Sequence, residues 1–383
     1  MHLMMLSYNK FPEGDAGAIR EYSLALLAKS LDNEITIVGM GASNPYKINE
    51  YNGIPYYSLR LKGSTLITKF KNYFGYSKRL RTILNEYEDK LDIILVVDIP
   101  INALIMVKKI AKHKGIKLIH DSVEWYSPEQ FKLKWFSPAY IIKNLYNKLL
   151  IDENFRVIAI SRYLEDHFTS RQILVEKIPV ILPIEEIPCV KAIETDKFKL
   201  LYAGSPGKKD YLANMLRGIA SIDDNSLARI EFHIFGVSED QLENILEKEE
   251  FDKIKRSIFI YGRVSRDIVL KQLLQSHFSV MLRNPEARYS KAGFPTKIVE
   301  SLATGTPVIT NLSSDLGNYL KDEVNSIIVD DCSSEAFKKA VLRAINVSDP
   351  KLHQMFHESR KTAIDFFDIE KYKENFNKII HKK

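Results

Sequence analysis

The sequence predicts an α/β protein of two doubly wound domains, each a mostly parallel sheet with helices on both faces. Three observations carry this. Short apolar runs alternate with longer amphipathic stretches along most of the chain, which is the rhythm of βαβ units. The chain has 383 residues, more than one ordinary core accommodates. Pro179, Pro183 and Pro188 punctuate a stretch without helical period near the middle, which reads as a linker because proline restricts both itself and the residue before it. The expected domains are residues 1–185 and 196–365.

In the first half, strands are expected at 3–6, 35–38, 93–97, 117–120 and 157–160. Helical patterns lie between them at 18–31, 70–87, 101–113 and 139–151. Asn52-Gly53, flanked by tyrosine and isoleucine, predicts a hairpin inserted after the second strand. After the linker, which spans 175–188, the rhythm restarts with strands at 199–203, 230–235, 258–261, 278–282, 308–310 and 326–329. The intervening helices are expected at 210–220, 239–248, 267–275, 296–304 and 335–345, and two more close the chain. In open α/β sheets ligands bind beyond the carboxyl ends of the strands, so the loops after each strand are where chemistry is to be sought.

Composition excludes several classes. With 45% hydrophobic and 27% charged residues the chain is an ordinary globular protein. Cys189 and Cys332 are its two cysteines, so neither a disulfide framework nor a cysteine metal cluster is expected, and a reducing cytoplasm fits. Residues 1–6 are apolar but short and read as a buried strand, not a signal peptide. No apolar run reaches the length of a membrane span. The zinc-protease, nucleophile-elbow and P-loop patterns do not occur.

The most informative segment runs from Ala292 through Gly293, Phe294, Pro295 and Thr296 to Glu300, Gly305 and Pro307. Pro295 suits a first helical turn, where its missing N–H costs nothing. Gly305 suits a left-handed helix end, and Pro307 blocks continuation. The free N–H groups at the helix start suit an anionic or hydroxyl-bearing ligand. Glu300 is polar in an otherwise apolar helix, and periodicity alone reads it as a carboxylate on the wet face. A second segment, from Leu201 through Gly204, Ser205, Gly207, Lys208 and Lys209 to Asp210, is a strand, a glycine-bearing turn and a helix start. Exposed amides and a cation there can hold a diphosphate, or the lysines are merely solvated.

The 292–308 segment resembles the donor-site signature of the retaining glycosyltransferases of family four, which have the GT-B fold of two Rossmann-like domains facing across a cleft. The resemblance implies that Glu300 accepts hydrogen bonds from the nucleotide ribose, a task for an acceptor-only carboxylate. The family's first Glu falls on Ala292, so the sugar contact departs from the pattern. Glu286 is a candidate substitute or an exposed loop carboxylate, and the loop 283–292 is positioned to close over the sugar. The 201–210 segment resembles the family's Gly-Arg…Lys diphosphate site. Ser205 stands where the Arg usually is, and Lys209, with Lys208 beside it, is the expected phosphate contact. Gly262-Arg263 resembles the loop beside the nucleotide base, with Arg263 either near phosphate or simply exposed, and Gly236 ends a strand comparably.

In the first domain, the stretch from Phe11 to Arg20 resembles the family's glycine-bearing loop, in which Gly17 would bring backbone close to the reacting sugar. Arg20 reads equally as a helix-surface charge or an anion contact. His120, expected at a strand end, is either a hydrogen-bonded core residue or, by resemblance, a contact to donor sugar or acceptor. Glu124, followed by Trp125, and Ser161 belong to the same map. The catalytic set implied is His120, Lys209 and Glu300. The last helix, within 366–383, is expected to cross back to the first domain.

The implied reaction moves a sugar from a nucleotide-diphosphate sugar to a glycan or polyprenyl-linked acceptor, with retention, in surface polysaccharide synthesis. Positioning and cations on the departing phosphate supply the catalysis, with no cofactor and no metal. An epimerase on the same scaffold, or a non-catalytic donor-binding partner of another transferase, are the alternatives.

From Arg60 to Arg81 the chain is basic and lacks acidic residues, with Phe70, Tyr73, Phe74 and Tyr76 interleaved, and a second such stretch spans 131–136. Two readings stand: a solvated helix with core aromatics, or a face for an anionic membrane on the inner side of the plasma membrane. No recognition motif for nucleic acid accompanies it.

Overall fold

The computed structural model describes the chain apart from residues 14–15, 42–45, 88–89, 194–195, 205–208, 244 and 383. It forms two compact units, one of residues 1–183 with 369–383 and one of residues 184–368.

The first unit is built on eight strands: β1 (His2–Leu6), β2 (Glu34–Gly39), β3 (Asn49–Tyr51), β4 (Ile54–Ser58), β5 (Ile93–Val96), β6 (Lys117–Ser122), β7 (Phe155–Ala159) and β8 (Leu174–Lys177). They lie in the order β3-β4-β2-β1-β5-β6-β7-β8. Leu3, Met4, Met5 and Leu6 are fully buried, as a central parallel strand covered on both faces requires. The expected hairpin forms at Asn52 (φ 46°) and Gly53 (φ 75°), two consecutive left-handed residues that close the antiparallel β3–β4 pair.

Three expectations need correction here. The helix expected over 70–87 is two helices, Leu66–Phe74 and Tyr76–Glu86. The chain is too tight at Gly75 for any side chain, because a Cβ there would lie 2.7 Å from the Lys71 carbonyl oxygen. The supposed linker opens with β8, a half-buried edge strand without an apolar core of its own to announce it. The helix Arg162–Thr169 was also not expected; Ser161 caps it, accepting from the Leu164 N–H.

The second unit is a wholly parallel sheet of β9 (Phe198–Ala203), β10 (Ile230–Phe235), β11 (Ile258–Ile260), β12 (Phe278–Met281), β13 (Val308–Thr310) and β14 (Ser326–Ile328), ordered β11-β10-β9-β12-β13-β14. Parallel pairing brings all the carboxyl ends to one edge of the sheet. The helix Asp349–Phe367 belongs to this unit. The chain then returns, and the helix Lys373–His381 buries Phe376, Ile379 and Ile380 in the first unit's core. Each unit holds its own ends together. The Ile184 N–H donates to Asp368 Oδ2 at 3.2 Å, and the Ile369 N–H donates to the Leu182 carbonyl at 3.2 Å.

Candidate donor site at the strand ends of the second unit

Three glycines lie side by side where β9, β10 and β11 end. The Gly204 N–H donates to the Phe235 carbonyl at 3.0 Å, and the Gly236 N–H to the Gly262 carbonyl at 2.5 Å. Gly236 (φ 86°) lies so close to its neighbour that a Cβ would sit 2.4 Å from the Gly204 carbonyl oxygen. Gly262 (φ 62°) has open space where a side chain would be. The result is a shelf of bare backbone along the strand ends, which a flat or extended ligand can approach closely.

Over one end of this shelf hangs a charged cluster. Asp210, shortly before the helix Leu212–Ala220, accepts from Lys297 Nζ at 2.5 Å, Arg283 Nε at 2.9 Å and the Tyr202 hydroxyl at 3.1 Å. Burial pushes the Asp210 pKa up, but Lys297 and Arg283 outweigh it and hold the carboxyl below its ordinary value. Burial also pulls the Lys297 pKa down, with Asp210 opposing. Two cations against one carboxylate leave a local excess of positive charge. Lys297 reaches the shelf itself, since a Cβ on Gly204 would lie 2.5 Å from its Nζ.

Lys297 stands in the helix Thr296–Ala303, which begins after Pro295 and ends before Gly305 (φ 72°), the left-handed residue expected there. Pro295 lies just outside the helix as its cap residue, not within the first turn. Phe294 anchors the turn by packing on Tyr319 and Phe367. Gly293 has extended backbone (φ −86°), so no left-handed conformation requires a glycine there. One helical turn beyond Thr296, Glu300 is buried and accepts from Arg266 Nε at 2.5 Å. The wet-face reading of Glu300 is therefore overturned: Arg266, opening the helix Arg266–Leu274, offsets the desolvation of its charge.

Other expected residues fall elsewhere. Ala292 is fully buried and ends a short helix, Arg288–Ala292, in place of the loop expected over 283–292. Glu286 is exposed and pairs with Lys291 at 2.8 Å. Arg263 is exposed, while Lys209 is half-buried, with its carbonyl accepting from the Tyr289 hydroxyl at 3.3 Å. Ser205 and Lys208 lie outside the described residues.

In the first unit, β6 runs to Ser122, so His120 is not at a strand end. It is 3% exposed, packs against Tyr146 and Phe168, and its Nδ1 lies 3.0 Å from the Val96 carbonyl. Burial lowers its pKa, against the opposing pull of Asp121, as for a neutral core histidine. Arg20 is neither a surface charge nor open to a ligand anion. It is buried, donates to both Asp121 oxygens at 2.7 Å, and spends further N–H groups on the Ile178 and Pro179 carbonyls. The close approach that Gly17 permits is to Asn9, whose amide nitrogen would lie 2.5 Å from a Cβ there. Glu124 is half-buried, and its carbonyl accepts from Asn147. Trp125 is buried against His167, with its indole N–H on Asn144, so its face is not offered to a sugar. Ser161 is buried as a helix cap.

The sequence pattern does not single out Lys297, Arg283 or Arg266, and it gives Asp210 only as a helix start. Lys297 had a usable signal: it stands three residues before Glu300, on the same side of one helix.

Residues 183–362, nearly the whole second unit, match the family model described as glycosyl transferases group 1. No protein of curated function matches the sequence. Among solved structures, the chain is similar to sucrose-phosphate synthase from Thermosynechococcus elongatus, at 12% identity and TM-score 0.79, covering 99% of this chain and 98% of that one. It is similar to WaaG, a glycosyltransferase involved in lipopolysaccharide biosynthesis, at 14% identity and TM-score 0.72 over 100% of both chains. It is also similar to Anabaena HepE in complex with UDP-glucose, at 14% identity and TM-score 0.70 over 100% of both. The second unit is thus a glycosyl transferases group 1 domain, in a chain with the GT-B fold of glycosyltransferases.

Proposed function

We propose that this protein transfers a sugar from a nucleotide-diphosphate sugar to a glycan or polyprenyl-linked acceptor with retention of configuration, in surface polysaccharide synthesis. The observation that supports it best is the ion pair of Lys297 with Asp210, which joins the two segments that carry the family resemblance. On this reading the diphosphate lies along the shelf of Gly204, Gly236 and Gly262, beside Lys297 and Lys209. Glu300, one turn further, accepts from the ribose hydroxyls while Arg266 steadies it. Lys297 supplies the cation that the family places at the Ser205 position. Cations fixed before reaction stabilise charge that grows on the leaving phosphate.

Two relatives in fold set the first donor to try. HepE was solved with UDP-glucose, and an E. coli protein of similar fold was solved with UDP-2-fluoro glucose. The protein is to be incubated with a panel of UDP-sugars and glycan or polyprenyl-phosphate acceptors, and the anomeric configuration of any product read by NMR. A product of retained configuration is expected. Donor binding without turnover across the panel would make the chain a binding partner, and an altered donor without any acceptor would make it an epimerase.

A further inference from the structure

We infer that the first unit docks on an anionic lipid leaflet through the helix Leu66–Phe74, with the exposed turn Lys134–Phe136 as a second apolar contact. The helix is inside out. Leu66, Ile67, Phe70 and Phe74 are 83%, 68%, 64% and 54% exposed, and the spacing 66, 70, 74 puts them on one face. What ties the helix down is polar: Asn72 is its one buried residue, accepting from the Leu61 N–H at 2.8 Å. The Asn72 carbonyl in turn accepts from Arg79 Nη2 at 2.9 Å. A helix held by its polar side, with aromatic and aliphatic side chains outward, is the reverse of a core helix and matches one lying in a membrane interface.

A second exposed apolar group lies in the same unit, in the turn before the helix Pro138–Leu145. Leu133, Trp135 and Phe136 are 63%, 61% and 84% exposed. The first group is fixed from behind: Asn102 Nδ2, at the start of the helix Ile101–Lys114, donates to the Phe74 carbonyl at 3.2 Å.

The charge around the patch names the occupant. No acidic residue occurs from Tyr51 to Asn85, and Lys62, Lys69, Lys71, Lys78 and Arg81 are exposed. Arg79, by contrast, turns inward to cap the helix. Pairing this face with its own copy would set lysine against lysine, whereas a leaflet of anionic headgroups complements it. No helix among the described residues is long and apolar enough to cross a membrane, so attachment is to one leaflet. The inference does not depend on the donor.

The test is flotation of the full chain with vesicles of phosphatidylcholine alone, or with phosphatidylglycerol as about a third of the lipid. At low salt the protein is expected to float with the anionic vesicles and not with phosphatidylcholine. Ile67→Glu with Phe70→Glu should abolish flotation, and Lys69→Gln with Lys71→Gln should weaken it roughly thirtyfold. Unchanged circular dichroism and an unchanged thermal response to nucleotide would show both variants folded. Failure of the wild type to float, or flotation of the Glu variant equal to wild type, would overturn the inference. So would a solution dimer that the Glu variant dissociates, which would assign the face to self-association.

Discussion

Both units keep a carboxylate and an arginine near the carboxyl ends of their strands, but to opposite ends. In the first unit, Arg20 and Asp121 are sealed, with side chains 5% and 1% exposed, and Arg20 spends its remaining bonds on backbone carbonyls. In the second, the Asp210 side chain is 7% exposed, and Arg283 and Lys297 crowd onto it while remaining 15% and 22% exposed. The first pair is neutral and complete. The second has one cation more than it needs, facing bare backbone. Burial of an ion pair alone thus says little about function; unbalanced charge beside an open shelf says more.

The largest expected effect breaks the first pair. Asp121→Ala leaves Arg20 charged and buried, and should cost about 3–5 kcal/mol of stability. Chemical denaturation checks this, and nucleotide affinity of the folded fraction should not change. If affinity fell as well, the sealed pair would not be purely structural. Next, Lys297→Ala and Glu300→Ala should each weaken UDP binding by about 1–3 kcal/mol in calorimetry. Unchanged affinity in both would strip the second unit's cluster of its role.

A third charged group sharpens the contrast within the second unit itself. His277, Lys199 and Lys191 gather at the amino ends of the strands, away from the shelf. His277 Nδ1 accepts from the Lys199 N–H at 2.9 Å, so the ring must be neutral. Burial, helped by Lys191, holds its pKa down to about 4. The folded state therefore binds fewer protons than the unfolded one between that value and the ordinary 6.5. Its stabilising contribution is complete above the unfolded pKa and is lost as pH falls through this window, by up to about 1.4 kcal/mol per pH unit. His277→Gln should flatten that slope in thermal melts without touching UDP affinity. The smallest effect is Gly305→Ala, costing about 1–2 kcal/mol because φ there is left-handed. Denaturation should show it with nucleotide binding retained.

What was legible in the sequence follows from how local each feature is. Asn52-Gly53 and Gly305 announce themselves because their left-handed backbone is a property of the residue. The strands β1 and β9 are legible because double-sided burial makes continuous apolar runs, at 3–6 and 200–203, and β10 because Ile230, Phe232 and Ile234 alternate with polar residues. β8 is not, since an edge strand half-covered on each face carries no such run. The break at Gly75 was hidden by a helical period that resumes in phase. Arg20 and His120 were misplaced because their partners, Asp121 with the 178–179 backbone and the Val96 carbonyl, come from remote segments. Periodicity alone puts Glu300 on the wet face for the same reason: nothing near it in sequence foretells Arg266.

The way the chain leaves and re-enters the first unit has a practical corollary. Residues 184–368 depart and return at adjoining points, each point tied by a hydrogen bond within its own unit. Topologically they are a cassette, and evolution or an engineer can exchange one without re-threading the host. Joining Pro183 directly to Ile369 would leave the first sheet and its returning helix uncut, a ready vehicle for grafting a different second unit onto the same first one.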